Sequence, residues 1–222
     1  MSGLNRVTAS AASYALCLAL AAGFPIEAAA PRPQEKAAPK DEAVYMVSRD
    51  PVTDPFFHQS VVLMLPPIPQ NPLVVGLILN RPTRVPLSQV FPEDKTFKDR
   101  SDVAFFGGPV DPQSPGIVFR SNQPPKEAIQ AFGNIYVSFN RVFIEGFLKK
   151  SEAGQQWRLF LGRAQWAPAQ LQGEVLGGAW NDVRAEGNLI FAADQTYLWR
   201  TLSERAEPAP VAELKLPSQE SR

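Results

Sequence analysis

Short, continuous apolar runs that end at prolines constrain the fold of this chain more than any other feature of its sequence. Residues 61–65 are all apolar and precede two prolines, and residues 73–79 form a second run that ends at Asn80-Arg81-Pro82. A run of this length without polar alternation is typical of a strand buried on both faces. The link between the two runs is short, which predicts that the two strands pair antiparallel.

Similar patterns predict the rest of the secondary structure. Further strands are predicted at 44–47, 103–106, 117–119, 135–139, 159–161 and, as an edge strand, 189–191. Asn140 has the side chain of a helix N-cap, Pro168 suits the first position of a second helix, and 196–202 form a third. Because strand runs lie next to one another and helices are scattered among them, the pattern favours an α+β fold over a doubly wound sheet.

The two ends of the chain differ in composition from its centre. Arg6 precedes an uncharged stretch over 7–26, and three small residues follow at 28–30, which is the layout of a secretory signal. We therefore predict a signal peptide at 1–28, a flexible linker at 29–42, one domain at 43–203 and a disordered tail at 204–222. The predicted location is the periplasm. The alternatives are a membrane anchor through residues 7–26 and a wrongly assigned start codon.

Charge and residue counts exclude several classes of function. The chain has 22 basic and 22 acidic residues, whereas a nucleic-acid-binding protein usually carries a basic excess. One Cys and one His rule out a disulfide framework, a Cys/His zinc site and an iron–sulfur cluster within one chain. No glycine-rich phosphate loop or dinucleotide fingerprint is present. We expect no cofactor, no metal and no nucleic-acid partner, and membrane contact only if the leader stays uncleaved.

The candidate ligand-binding residues follow the predicted strands. Asn80 and Arg81 either clamp an anion or tie the strand end to a neighbouring loop, and the second alternative is favoured. Gly107 and Gly108 either cradle a ligand or allow tight strand packing, which is again favoured. Asp111, close to this glycine pair in the sequence, is the best nearby carboxylate to pair with Arg81, although the sequence cannot show that contact.

Aromatic residues complete the candidate set. Trp166 could line a pocket with the other tryptophans, although core packing is the favoured interpretation. Glu174 is expected to be solvated or bonded to N–H groups, and His58 to be a surface histidine at a strand entry. No residue is predicted to be catalytic.

Several segments, in this order, resemble the YqgE/AlgH family of bacterial proteins. They are 54–56 with 60–63, then 76–82, 106–110 and 159–162, and finally Trp166, Gln170-Leu171, Glu174 and Trp180. The resemblance implies an α+β domain in which a bifurcated, mostly antiparallel sheet folds into a pseudo-barrel with flanking helices. It implies no settled biochemical activity and supplies no catalytic residue.

These observations together predict an exported domain that binds rather than converts a ligand, with an unknown protein or small molecule as its partner. One alternative is an enzyme of unrecognised type that acts on an anionic small molecule through Arg81 and a carboxylate such as Asp111. The other is a cytoplasmic, transcription-related regulator, which requires the wrongly assigned start codon.

Overall fold

The computed structural model describes residues 43–49 and 52–206. The predicted signal peptide and linker, and residues 207–222 of the predicted tail, lie outside this part of the chain and stay predictions. The last described helix continues past the predicted domain end at 203 and ends at Arg205.

Ten strands and five α-helices make up the described residues. The strands are β1 (Val44–Ser48), β2 (Val61–Met64), β3 (Val74–Ile78), β4 (Pro82–Pro86), β5 (Val103–Phe106), β6 (Val110–Arg120), β7 (Ile129–Phe132), β8 (Ile135–Ser138), β9 (Trp157–Trp166) and β10 (Trp180–Arg184). The helices are α1 (Leu87–Val90), α2 (Arg141–Lys150), α3 (Pro168–Leu176), α4 (Gly187–Ile190) and α5 (Leu198–Arg205), with one 3₁₀ turn at Lys95–Phe97.

The strands form one mostly antiparallel sheet that curls into a half-barrel. Its order is β10-β1-β2-β3-β9-β6-β8-β7, and β4 pairs with β5 beside this path. The predicted antiparallel pairing of β2 with β3 is confirmed, with Val62 opposite Ile78. The α+β class and the bifurcated sheet are confirmed as well.

Strand β9 is where the sheet divides. Its last residues pair with β3, so that Val74 lies opposite Trp166. Its first residues pair antiparallel with β6, and Phe160 pairs in parallel with Phe105 of β5. One strand therefore joins the half of the sheet that contains β1–β3 to the half that contains β5–β8.

Burial on both faces explains the continuous apolar runs. In β2, Val61 and Leu63 pack into one core cluster with α4 and α5, while Val62 packs into another with Trp166 and Trp180. A third cluster lies between the other half of the sheet and the helices α1 and α2. Successive strand residues point to opposite faces, so a strand between two core layers has to be apolar throughout.

Two predicted helix starts are confirmed, whereas one predicted strand is a helix. The Asn140 side chain accepts a hydrogen bond from the Phe143 N–H and so caps α2, and Pro168 is the first residue of α3. The predicted edge strand at 189–191 is wrong, because these residues belong to the single-turn helix α4 and its end. A three-residue apolar run does not distinguish the two structures, and one helical turn suffices to bury Ile190 completely.

Candidate functional site

Asn80 ties the end of β3 to the turn before β2. Its side chain is 6% exposed, its Oδ1 accepts a hydrogen bond from the Val61 N–H at 2.9 Å, and its Nδ2 donates to the Gln59 carbonyl at 2.9 Å. An Asn that satisfies a backbone donor and a backbone acceptor has little capacity left for a ligand. These are the contacts that the structural alternative predicts.

Arg81 extends the same tie. Its Nη1 donates to the Gln59 carbonyl at 3.2 Å, and its Nη2 donates to the His58 carbonyl. Burial lowers the pKa of the Arg81 guanidinium, because desolvation penalises the charged form. The two hydrogen bonds direct the Arg81 guanidinium at backbone oxygens and not at a carboxylate.

Gly107 and Gly108 let β5 cross closely over β9. A Cβ on Gly107 would lie 2.4 Å from the Gly162 carbonyl oxygen, and a Cβ on Gly108 would lie 2.2 Å from the carbonyl carbon of Arg163. The Gly108 φ of +149° also disfavours any other residue. The space in front of both glycines is filled by backbone, as tight strand packing requires.

Asp111 pairs with Arg163 and not with Arg81, which corrects the predicted ion pair. The distance from the Asp111 Oδ2 to the Arg163 Nη2 is 2.6 Å. The register explains this partner, because Val110 of β6 lies opposite Arg163 of β9 and Asp111 is the next residue. The carboxylate is about half exposed, so this pair stabilises the fold little.

Trp166 belongs to a closed aromatic group that we call the tryptophan–glutamate cluster: Phe57, Trp166, Glu174 and Trp180. Both indole N–H groups donate to the Glu174 Oε2, from Trp166 at 3.1 Å and from Trp180 at 2.9 Å. The Phe57 ring lies 5.4 Å and 5.6 Å from the two indoles. Trp166 is 2% exposed, so it fills the core and does not line an open pocket. Glu174 is N–H-bonded, as predicted.

The structure brings four of the predicted residues to one junction. The Phe106 N–H donates to the Arg81 carbonyl, and the Ile78 N–H donates to the Gly107 carbonyl, so Asn80-Arg81 and Gly107-Gly108 lie side by side. Asp111 contacts Arg163 beside this junction, and Trp166 lies in the adjoining core cluster. The described contacts at this junction hold strands together.

A cavity with different residues lies at the start of β5 and β9. Its volume is about 700 Å³. The two strands run parallel, so their first residues, together with the loop at 151–155 and residues 100–102, surround one opening. Trp157, Phe105 and Val103 supply apolar walls, and Arg100 and Arg158 supply positive charge. None of these residues is in the predicted site.

Arg158 is the unusual residue of this cavity. Its half-buried guanidinium lies 4.3 Å from the centroid of the Phe105 ring, and its Nη2 donates to the Ala192 carbonyl at 2.9 Å. Its Nη1 is buried and has no hydrogen-bond partner, and no carboxylate of the described residues forms an ion pair with it. Burial lowers the pKa of Arg158 to about 10, because desolvation penalises the charged form of the guanidinium.

Arg100, in contrast, has its own counter-ion. Its Nε lies 2.7 Å from the Asp102 Oδ2, and its guanidinium lies 5.6 Å from the centroid of the Trp157 ring. Glu152 also lines the cavity, but it is exposed, so water screens its charge. Among the described residues that line the cavity, Arg158 is therefore a cation without an ion-pair partner.

One signal in the sequence points to this site. Arg158 interrupts the apolar residues Trp157, Leu159, Phe160 and Leu161, and a charged residue in such a run is costly to bury unless it is compensated. What the sequence does not show is whether a carboxylate faces that arginine.

Two further properties concern the whole described region. No group of three His, Cys, Asp or Glu side chains in residues 43–49 and 52–206 is arranged to hold a metal ion. Among the helices of the same residues, none has the length and apolarity needed to cross a membrane.

Comparisons with known proteins agree on one family. The model of the family described as DUF179, AlgH-like, matches residues 45–210. A UPF0301 protein of Anaeromyxobacter dehalogenans is 30% identical over 171 residues, covering 72% of this chain and 85% of the relative. A UPF0301 protein of Streptomyces avermitilis is 29% identical over 163 residues, covering 72% of this chain and 83% of that protein.

Solved structures show the same fold. The AlgH protein of Pseudomonas aeruginosa superimposes with a TM-score of 0.61 at 17% identity, covering 79% of this chain and 94% of that one. A protein of Corynebacterium diphtheriae gives a TM-score of 0.58 at 22% identity, covering 78% of this chain and 90% of that one. At these identities the likeness extends to the fold alone.

Proposed function

The chain belongs to the AlgH-like family, for which no biochemical activity is indicated, and on this premise we propose that it is a non-enzymatic binding protein that acts after export. Its ligand is a small anion, held in the cavity that Arg158 lines. The volume of about 700 Å³ lies within the usual range for small-molecule sites.

The observation that carries this proposal is the uncompensated charge of Arg158. A buried donor without a partner costs about 1–3 kcal/mol, and more when it is charged. An anion in the cavity supplies the missing counter-charge, and Arg is the side chain best suited to planar anions. Arg81 also lacks a carboxylate partner, but both of its terminal nitrogens donate to backbone carbonyls, whereas the Arg158 Nη1 has no hydrogen-bond partner among the described residues.

The hydroxyl and imidazole groups support binding over catalysis. His58 is exposed, and its Nδ1 lies 3.0 Å from the Val52 carbonyl oxygen. The buried Ser60 donates its hydroxyl to the Phe57 carbonyl at 2.9 Å, and Ser151 at the cavity donates to Leu148 at 2.8 Å. A nucleophile needs a base within hydrogen-bond reach, and neither serine has such a partner among the described residues. The alternative enzyme that requires Arg81 and Asp111 to converge gains no support from their separate partners.

Binding without turnover is tested on the purified full chain. Thermal unfolding is followed with small carboxylates, phosphate esters and their neutral analogues, and the same compounds are checked for conversion by NMR. We expect a rise in melting temperature with one class of anion and no conversion. Arg158→Gln should abolish the rise, whereas Arg184→Gln, a change of an exposed arginine on β10, should keep it. If the chain converts a compound and Arg158→Gln abolishes that conversion, the non-enzymatic role is refuted.

The exported location is tested separately. The support for it is the sequence pattern of Arg6, the uncharged stretch 7–26 and the small residues 28–30. Fractionation of cells that make the natural protein, followed by N-terminal sequencing, should find a periplasmic chain that begins near residue 29. A cytoplasmic chain that begins at Met1 would overturn the proposal of export, and a full-length membrane fraction would favour the anchor instead.

A further inference from the structure

The charged residues that line the cavity of Arg158 limit the number of charges that a ligand in this cavity can carry. Arg100 and Asp102 form an ion pair at 2.7 Å, which leaves Arg158 as the lining cation that has no ion-pair partner among the described residues. A ligand with one negative charge balances that guanidinium. A second negative charge on the ligand would find no further unpaired cation among the lining residues, and Asp102 and Glu152 add two carboxylates to the same lining. Without a cation to balance it, a second charge is costly to desolvate, which disfavours a dianion.

The apolar residues of the cavity indicate the chemistry of the part of the ligand that carries no charge. Val103 is 36% exposed, and Trp157 and Phe105 are partly exposed beside it in the same cavity. Arg100 stacks on Trp157 and Arg158 stacks on Phe105, so each guanidinium is fixed against an aromatic ring. Fixed guanidinium planes favour planar anions such as carboxylates, and the neighbouring apolar surface is stabilised when an apolar body covers it.

We infer that the ligand is a monocarboxylate with a flat apolar body, its carboxylate beside Arg158 and its body against Trp157 and Val103. This inference rests on the proposed function and narrows it to one class of anion. The Ala192 carbonyl holds the Arg158 guanidinium through Nη2, so the positive charge is in place before the ligand arrives. Preorganisation of this kind lowers the entropic cost of binding.

The test uses 3-phenylpropionate as the probe and three comparison compounds, which address its charge, the number of its charges and its apolar body. 3-Phenylpropionamide has the same shape without the charge, phenyl phosphate carries two charges at the pH of the assay, and inorganic phosphate lacks the apolar body. Dissociation constants are measured on the full chain by ligand-observed NMR and by the change in tryptophan fluorescence. We expect the carboxylate to bind at least about tenfold more tightly than the amide, which lacks the charge, and than phenyl phosphate, whose second charge has no cation to balance it.

Variants test whether the preference for the carboxylate depends on Arg158 and whether the apolar contact depends on Trp157. Arg158→Gln should remove the preference for carboxylate over amide, Arg158→Lys should keep part of it, and Arg184→Gln should leave it unchanged. Trp157→Leu should weaken the carboxylate and the amide together, because both lose the same apolar contact. Circular dichroism confirms that each variant is folded, and Arg158→Lys keeps the test decisive if Arg158→Gln unfolds.

The outcomes separate this inference from the proposed function. Equal binding of carboxylate and amide, or tighter binding of phenyl phosphate or inorganic phosphate, overturns the monocarboxylate and leaves a binding protein. Binding of none of the four compounds overturns the monocarboxylate as well. Conversion of 3-phenylpropionate by the chain, with binding that still depends on Arg158, refutes the non-enzymatic role and supports the ligand class.

Discussion

The tryptophan–glutamate cluster allows a prediction whose magnitude follows from the structure. Glu174→Ala removes the acceptor of two indole N–H groups, and the rings that carry them, Trp166 and Trp180, are 2% and 3% exposed. Leaving a buried donor unpaired costs about 1–3 kcal/mol each. Because Glu174 is only partly buried, water can replace some of the lost bonding, and we expect a total loss of about 2–3 kcal/mol in the free energy of unfolding.

Urea denaturation followed by circular dichroism measures this loss. In a domain of this size, a loss of about 2–3 kcal/mol should lower the melting temperature by roughly 5–10 °C. Tryptophan emission of the folded variant should also shift to longer wavelength, since water reaches two indoles that the carboxylate now covers.

Two further substitutions in or beside this cluster provide smaller stability losses with which the loss from Glu174→Ala can be compared. Glu174→Gln keeps a carbonyl oxygen for the indoles and loses only the charge, so it should cost about 1 kcal/mol. Gln170→Ala removes the exposed 2.9 Å hydrogen bond to the Glu174 Oε1 and should cost less than about 0.5 kcal/mol. If Glu174→Ala costs no more than Gln170→Ala, the indole hydrogen bonds do not stabilise the fold, and the reasoning is wrong.

Three other predictions test the strand junction and one ion pair. Asn80→Ala leaves the buried Val61 N–H unpaired and should lower the free energy of unfolding by about 2 kcal/mol, measured by urea denaturation. Gly108→Ala places a Cβ 2.2 Å from the β9 backbone and should yield less folded protein or a strongly lowered melting temperature. The Lys149 ammonium lowers the pKa of Asp94, so the pair stabilises the fold above the ordinary Asp pKa, and this stability falls as the pH drops below that value. Asp94→Asn should therefore make the melting temperature less sensitive to acid.

The sequence predicts those elements that are buried on both faces. Strands such as β2, β3 and β8 consist mostly of apolar residues, which contact two core layers, so composition alone indicates them. Strands β4, β7 and β10 contain exposed or polar residues, and their position depends on backbone pairing with strands far along the chain. Local patterns do not carry that information.

The candidate site shows the same limit. Asn80 and Gly107 are recognisable from the sequence because an Asn and a Gly at the ends of apolar strands suit backbone contacts there, and the structural alternative for each matches the contacts found. The partner of Asp111 depends on the register of β6 with β9, which shifts between Val110 and Pro115. Arg158 is visible as a charge in an apolar strand, but only the arrangement of distant segments shows that no described carboxylate reaches it.

The branching of β9 has a consequence for how the chain acquires its structure. Every partner of β9 precedes it in the sequence, so neither half of the sheet can be joined to the other until the ribosome has delivered residue 166. Pairings between segments this far apart form slowly, because a long loop has to close first. The two halves of the sheet can therefore be brought together only in the last quarter of synthesis, although pairs within each half, such as β2 with β3 and β6 with β8, can form earlier.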